Sequence, residues 1–331
     1  MTTAPEELPT LRGSVPPIRE WARTFVIGIC MGSADAVPGV SGGTIALIAG
    51  IYGRLIAMVT AITPERLWTL LAALTPLEGG FEPRTALAMF DEIDGWFGMA
   101  LAAGVGVAVI VVTRAVHWLN VNYPVLLFGF FFGLIAASAV VLLRELTIAT
   151  AVQAAAAVTG FTIAFLLAGP VSFLESGSLF VVFVAGAVAV SAMILPGISG
   201  SLLLVILGQY TRMSEALSEF LSSLAGLATG SGGGQVIELG TVVVTFIAGG
   251  LVGLVTISRA VRAALDRNRR ATMAFLVALV VGALRAPVQE VNDTAGFSPD
   301  VLVAFAAAAV GGAVFLLVLD WYAVDLDFDT V

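Results

Sequence analysis

The sequence predicts an all-α polytopic membrane protein made of two inverted-topology repeats. Each repeat is a re-entrant helical hairpin followed by three transmembrane helices. Three observations predict it. The chain is 59% hydrophobic and only 11% charged, whereas soluble domains are about 25% charged. Apolar stretches near the roughly 20 residues that a spanning helix needs recur along its 331 residues. A short interrupted motif, SADAVPGVSGGTIALIAGIYGR from Ser33, returns as SAMILPGISGSLLLVILGQYTR from Ser191.

The elements follow in order. Residues 1–22 form a polar tail with Pro5, Pro9, Pro16 and Pro17 and no apolar core, so no secretion signal is expected there. The first repeat, 23–169, opens with the hairpin at 24–62. An interfacial stretch at 63–95 follows, with Trp68 and several acids. Spans are then expected at Trp96–Val116, Pro124–Leu143 and Ala149–Leu167. The second repeat, 179–320, has its hairpin at 179–210, with a first arm near Leu179–Leu195. A turn-rich loop at 213–238 contains the flexible GLATGSGGGQ. Spans at Gly240–Ile257, Thr272–Leu284 and Val301–Leu319 lead to an acidic tail, 321–331.

The duplication rests on three alignments. Ser33–Arg54 matches Ser191–Arg212 at an offset of 158, with Ser33, Ala34, Pro38, Gly39, Ser41, Gly42, Ile48, Gly50, Tyr52 and Arg54 identical to their counterparts, 10 of 22 positions. GVGVAVIVVTRAV from Gly104 matches GGLVGLVTISRAV from Gly249 at 145, and AAAAVTG from Ala154 matches AAAAVGG from Ala306 at 152. Common order and near-constant spacing make these a repeat.

Arginine placement sets the topology. If both broken segments turn back, the second repeat is inverted and 12 of the 15 basic residues fall on the N-terminal side, against Arg114, Arg212 and Arg285 on the other. If each broken segment crossed once, the split would be 9 against 6. The turning-back arrangement therefore wins, with both termini cytoplasmic. The loop SRAVRAALDRNRR, with five arginines, is its main anchor.

A membrane segment tolerates a break only where protein or a water-filled cavity surrounds it. In PGVSGG and PGISGS the proline ends the first arm and the glycines permit close backbone approach. Ser41 and Ser199 are expected to cap second arms starting near Thr44 and Leu202. Two helix N-termini would then offer amide donors and positive dipole ends to an anion. Pro38, Gly39, Ser41, Gly42, Gly43 and Thr44 form one side of the expected cradle, and Pro196, Gly197, Ser199, Gly200 and Ser201 the other. The competing account makes these tight turns that only let helices pack. A second copy at the equivalent place favours a ligand site.

Intramembrane charges are costly and usually functional. Asp35, whose counterpart is Met193, is the candidate for a coupling proton or sodium, or for pairing an arginine; its plainer role is a hydrogen bond at the hairpin tip. Arg54 and Arg212, at equivalent hairpin ends, can receive phosphate through the guanidinium fork or simply snorkel to the interface. Arg285 ends an apolar span and is a candidate phosphate ligand or Asp35 partner. Cys30 is the single cysteine, so no internal disulfide is expected, and the lone His117 suggests no metal site. No cofactor is implied. A net charge of −8 without any lysine argues against nucleic acid and points to a halophilic composition.

GSADAVPGVSGGTIALIAGIYGRLI and LPGISGSLLLVILGQY resemble the paired signature of the polyprenyl-phosphate transporter family, over roughly 20–320. The resemblance implies a flippase that returns undecaprenyl phosphate to the cytoplasmic leaflet of the cell membrane. In a halophilic archaeon a dolichyl-type phosphate would be the cargo. Two other classes compete. Polyprenyl-diphosphate phosphatases bear a similar turn but follow its serine with an arginine, where Gly200 stands here, and Ser41 and Ser199 lack a clear base. A carrier of a small anion would use the same cradle without a lipid opening. No catalytic residue is assigned.

Overall fold

The computed structural model describes residues 15–61, 63–74, 83–144, 146–169, 171, 174, 177–193, 199–228 and 233–327, and among these it contains helices and turns but no strand. The chain divides into two compact units, 1–32 with 45–108 and 33–44 with 109–331.

The helices of the first part are α1 (Ile18–Ala36), α2 (Gly42–Ile48), α3 (Tyr52–Ala61), α4 (Pro64–Leu74), α5 (Pro83–Glu92) and α6 (Gly95–Asn122). Glycines let α1 and α6 touch backbone to backbone. A Cβ on Gly28 would strike the Leu101 carbonyl, and one on Gly104 the Phe25 carbonyl. Met31, Ala46, Phe97 and Leu101 close the core of this unit. Helices α2 and α3 are bent 118° to one another. The cause is Gly50, at φ +69. Its amide returns to Leu47 and that of Ile51 to Ala46, a Schellman ending that needs left-handed backbone.

The second part contains α7 (Pro124–Arg144), α8 (Ala151–Leu167), α9 (Leu179–Ala192), α10 (Gly200–Ile206), α11 (Tyr210–Ala228), α12 (Gly233–Ala283), α13 (Arg285–Ala295) and α14 (Pro299–Asp327). A capping box between Thr150 and Gln153 starts α8. The 51 residues of α12 are two helices joined at Asn268 (φ −157, ψ 83). The Asn268 side chain accepts from the Ala271 amide at 3.1 Å and caps the second of them. Small residues make the seams. Gly186 and Gly253 set α9 against the first half of α12, Gly160 and Gly282 set α8 against the second half, and Gly133 and Gly312 set α7 against α14.

Among the described residues, four helical stretches are long and apolar enough to cross a membrane: Gly95–Asn122, Pro124–Arg144, Gln235–Ala295 and Pro299–Tyr322. Helices α8 and α9 are apolar but shorter. Val158, Leu166, Val303 and Val310 are exposed on these helices, as expected of surfaces that meet lipid. The chain has the build of a multi-pass membrane protein.

Two expectations are corrected. The arginine-rich stretch 258–270 is not a loop, because helix continues to Arg267 before the Asn268 break. Much of the expected loop at 213–238 is helical as well, since α11 runs on to Ala228; residues 229–232 of its glycine-rich part lie outside the described residues. So do the tails at 1–14 and 328–331, and residues 75–82 of the interfacial stretch, whose flanks form α4 and α5.

Candidate functional site

The two motif stretches fold alike where both are described. The second helix of each begins at the glycine after the serine, Gly42 and Gly200, and ends at Ile48 and Ile206. Gly208, at φ +61, repeats the Gly50 ending, with its amide on Val205 and that of Gln209 on Leu204. The next helices begin at Tyr52 and Tyr210. Every one of these positions is 158 residues from its counterpart.

At the first corner the chain leaves α1 at Ala36 and turns over the buried Pro38. Gly39 carries two constraints at once. Its φ is +90, and a Cβ there would lie 3.2 Å from the Leu134 carbonyl of α7, so the turn is seated against that helix. Asp35 closes the corner. Its Oδ1 accepts from the Gly42 amide at 2.7 Å, across the turn. The residue that meets the first amide of α2 is therefore a carboxylate seven positions back. Gly42 itself is packed against that carboxylate, leaving no room for a Cβ.

The second corner differs. Pro196 and Gly197 lie outside the described residues. Ser199 is the N-cap of α10, but its side chain makes no capping bond. Its Oγ lies 2.7 Å from Ser201 Oγ instead, and both residues are buried. The expected serine cap is thus corrected: the hydroxyls pair with each other. The dipole argument is corrected as well. Helices α2 and α10 have seven residues each, so few peptide dipoles add along either axis.

A hydrogen bond links the stretches. Tyr210 donates from its hydroxyl to the Ala36 carbonyl at 2.7 Å, two residues before Pro38. Its ring packs edge-on against Phe131 of α7 at 5.3 Å between centroids. Helix α7 thus backs both Gly39 and Tyr210. Reasoning from the sequence did not single out Tyr210 for this contact. Its only signal was a tyrosine conserved between the two copies.

The arginines go elsewhere. Arg54 is bidentate to Asp94 (2.5 and 2.9 Å), bonds Glu20 at 2.9 Å, and lies over the Phe97 ring. Arg212 donates to the Gly177 carbonyl and to Gln209 Oε1. Arg285 donates to the Phe165 carbonyl at 2.7 Å and covers that ring. The expected pairing of Arg285 with Asp35 is therefore corrected, because each is held by a backbone group. Long side chains satisfied by local carbonyls and acids have no need to reach the corners.

Two cavities adjoin the second stretch. One of about 140 Å³ lies by the Gly208–Thr211 turn and α13, with Gln209, Tyr210, Gln289, Glu290 and Asp293 on its walls. Its two acids repel phosphate. The other, of about 180 Å³, is almost wholly apolar. Leu202, Leu203 and Ile206 of α10, Phe275, Leu279 and Val280 of α12 and Ser191 of α9 line it. It is slightly larger than the ~150 Å³ apolar cavity that holds a benzene molecule.

Comparison with known proteins gives one family and two relatives. The model of a family described as undecaprenyl phosphate translocase-like matches residues 31–298. The chain is similar to a polyprenyl-phosphate transporter of Vibrio cholerae, 30% identical over 261 residues that cover 79% of this chain and 75% of the relative. It is also similar to a polyprenyl-phosphate transporter of Staphylococcus aureus, 29% identical over 270 residues, 78% of this chain and 82% of that one. No solved structure matches it significantly.

Proposed function

This chain belongs to the undecaprenyl phosphate translocase-like family, and on that premise we propose that it is a flippase for a polyprenyl phosphate of undecaprenyl or dolichyl type. The observation that carries this reading beyond the family name is the pairing of polar corner and apolar groove. Buried Ser199 and Ser201 are followed directly by Leu202 and Leu203, which line the hydrocarbon-sized cavity. A headgroup and the start of an isoprenoid chain need that neighbourhood; a soluble anion needs only its polar half.

A phosphomonoester carries about −1.5 to −2 charge near neutral pH. Passing it through hydrocarbon unaided is prohibitive. In the proposed transporter, Ser41, Gly43 and Thr44 on one side and Ser199, Gly200 and Ser201 on the other replace its water. Pro38, Gly39, Pro196 and Gly197 shape the turns. The Gly42 amide is engaged by Asp35, so an arriving phosphate meets a carboxylate. Loading is then easier when Asp35 is protonated, which makes Asp35 the ion-coupling group. Arg54, Arg212 and Arg285 take positioning roles away from the headgroup.

Three contacts support the inverted, turning-back topology. Glu20, before the first break, pairs with Arg54, after it, at 2.9 Å, as a re-entrant hairpin requires. Asn120 bonds Glu215 at 3.4 Å, and Leu146 and Thr147 share a cavity with Arg269 and Arg270. With a single crossing per broken segment, each of these pairs would straddle the bilayer. With re-entrant hairpins each pair shares a face, and both termini lie on one side.

The test is reconstitution. Purified protein in liposomes, with polyprenyl phosphate placed in one leaflet, is expected to redistribute the lipid without releasing phosphate. Phosphate release from a polyprenyl diphosphate would replace the proposal with an enzyme. Uptake of inorganic phosphate without lipid movement would replace it with an anion carrier.

A further inference from the structure

A third cavity, distant in sequence from both motifs, lies where α7 ends and α12 turns at Asn268. It measures about 360 Å³, the share of liquid held by about twelve water molecules. Its walls divide by chemistry. Leu142 and Leu146 from the end of α7 and Met273 and Val277 of α12 are apolar, and Arg269 and Arg270 line the cavity with them. Thr147 adds a hydroxyl. No aspartate or glutamate lines it among the described residues.

We propose that this cavity binds the phosphate headgroup of a membrane lipid. The charge requires a partner. Among the described residues the ion pairs within 4.0 Å involve Arg54, Arg66 and His117, so neither Arg269 nor Arg270 has a carboxylate there. Two adjacent guanidinium forks match phosphate oxygens, and basic pockets between the ends of membrane helices are suited to lipid headgroups. The apolar walls settle the source. Leu142 and Val277 belong to helices that run into the bilayer, so a lipid can leave its first methylenes on them while its phosphate reaches the arginines. A free phosphate would leave those walls wet. Two positive charges match a monoester dianion better than the single charge of a diester. The inference needs only that the chain sits in a membrane and does not depend on the transport reading.

The experiment measures melting of the detergent-purified full chain against added phosphatidylglycerol, farnesyl phosphate, phosphatidylcholine and inorganic phosphate. Farnesyl phosphate and, more weakly, phosphatidylglycerol are expected to stabilise it, while phosphatidylcholine and inorganic phosphate are not. The double variant Arg269→Gln, Arg270→Gln should weaken lipid-phosphate binding by about tenfold or more, since it removes charge-assisted hydrogen bonds to the phosphate oxygens. Met273→Trp fills the cavity without altering charge and should have the same effect. Arg259→Gln with Arg262→Gln, on the same basic stretch but off the cavity, should bind as wild type. Unchanged binding in either cavity variant overturns the proposal. So does equal loss in the control pair, which means diffuse attraction, or equal stabilisation by inorganic phosphate, which means a soluble-ion site.

Discussion

Replacing Asp35 by asparagine separates charge from geometry at the first corner. The Gly42 amide donates to Asp35 Oδ1 at 2.7 Å, and asparagine keeps an oxygen in that place. A hydrogen bond to an ionised group contributes ~1.5–3 kcal/mol and one to a neutral group ~0.5–1.5, so Asp35→Asn should cost about 1 kcal/mol. Asp35→Ala removes the acceptor altogether and strands the amide beside the buried Pro38, at a cost of about 1–3 kcal/mol. Melting of the purified protein, followed by tryptophan fluorescence, should therefore rank wild type, then Asn, then Ala. Transport should divide them differently. If the carboxylate carries the coupling ion, Asn abolishes lipid movement in liposomes at every pH while folding nearly as well as wild type. Wild-type transport by Asp35→Asn, with unchanged dependence on a pH gradient, would refute ion coupling and leave Asp35 as a clasp for the turn.

Gly39→Ala places a Cβ 3.2 Å from the Leu134 carbonyl on backbone at φ +90; a strain of about 1–3 kcal/mol should lower the melting temperature and the yield of folded protein. Tyr210→Phe keeps the ring on Phe131 but leaves the Ala36 carbonyl unbonded, which should cost about 1–2 kcal/mol and slow transport more than it lowers melting. Arg54→Ala removes a pair that is 41% exposed on the arginine side. It should cost no more than about 1 kcal/mol, an amount that shrinks with added salt, and leave lipid movement intact; a loss of transport at unchanged melting would return Arg54 to the headgroup.

Much of the backbone of the two corners was legible because its signals are local. A proline, paired glycines and a serine at fixed spacing specify where a helix stops and restarts. Gly50 and Gly208 mark the left-handed endings because no other residue takes that conformation without strain. The repeat offset of 158 carried these features from one copy to the other, down to the helix ends. What stayed hidden depended on reach. Nothing in the spacing of Asp35 and Gly42 says that the carboxylate folds back over the turn, since that depends on Gly39 seating the loop against Leu134. Arg54 finds partners 34 and 40 positions away, and the motif copy made it look like a binding residue. The helix through Ala228 was obscured by serines and glycines that read as a turn. The acids of α13 drew no notice because VQEVNDTAG looks like a solvated connection, whereas the fold brings Glu290 and Asp293 to the wall beside Tyr210.

The divergence of the two corners matters more than their likeness. Where the first has Asp35 the second has Met193, and where the first has Gly43 the second has Ser201. The first copy thus has a carboxylate, which occupies an amide, while each corner keeps two hydroxyls, Ser41 and Thr44 in one and Ser199 and Ser201 in the other. In the proposed transporter an arriving phosphate meets a carboxylate at the first corner and Met193 at the equivalent place of the second, whose helix also lines the apolar groove. On that proposal the first corner becomes receptive when its carboxylate is protonated. By reciprocity of linked binding, whatever proton affinity a phosphate lends to Asp35, a proton on Asp35 lends to phosphate. Two identical corners would bind an anion tightly and have no means of letting it go; a pair in which one carries its own removable anion can load on one side and discharge on the other.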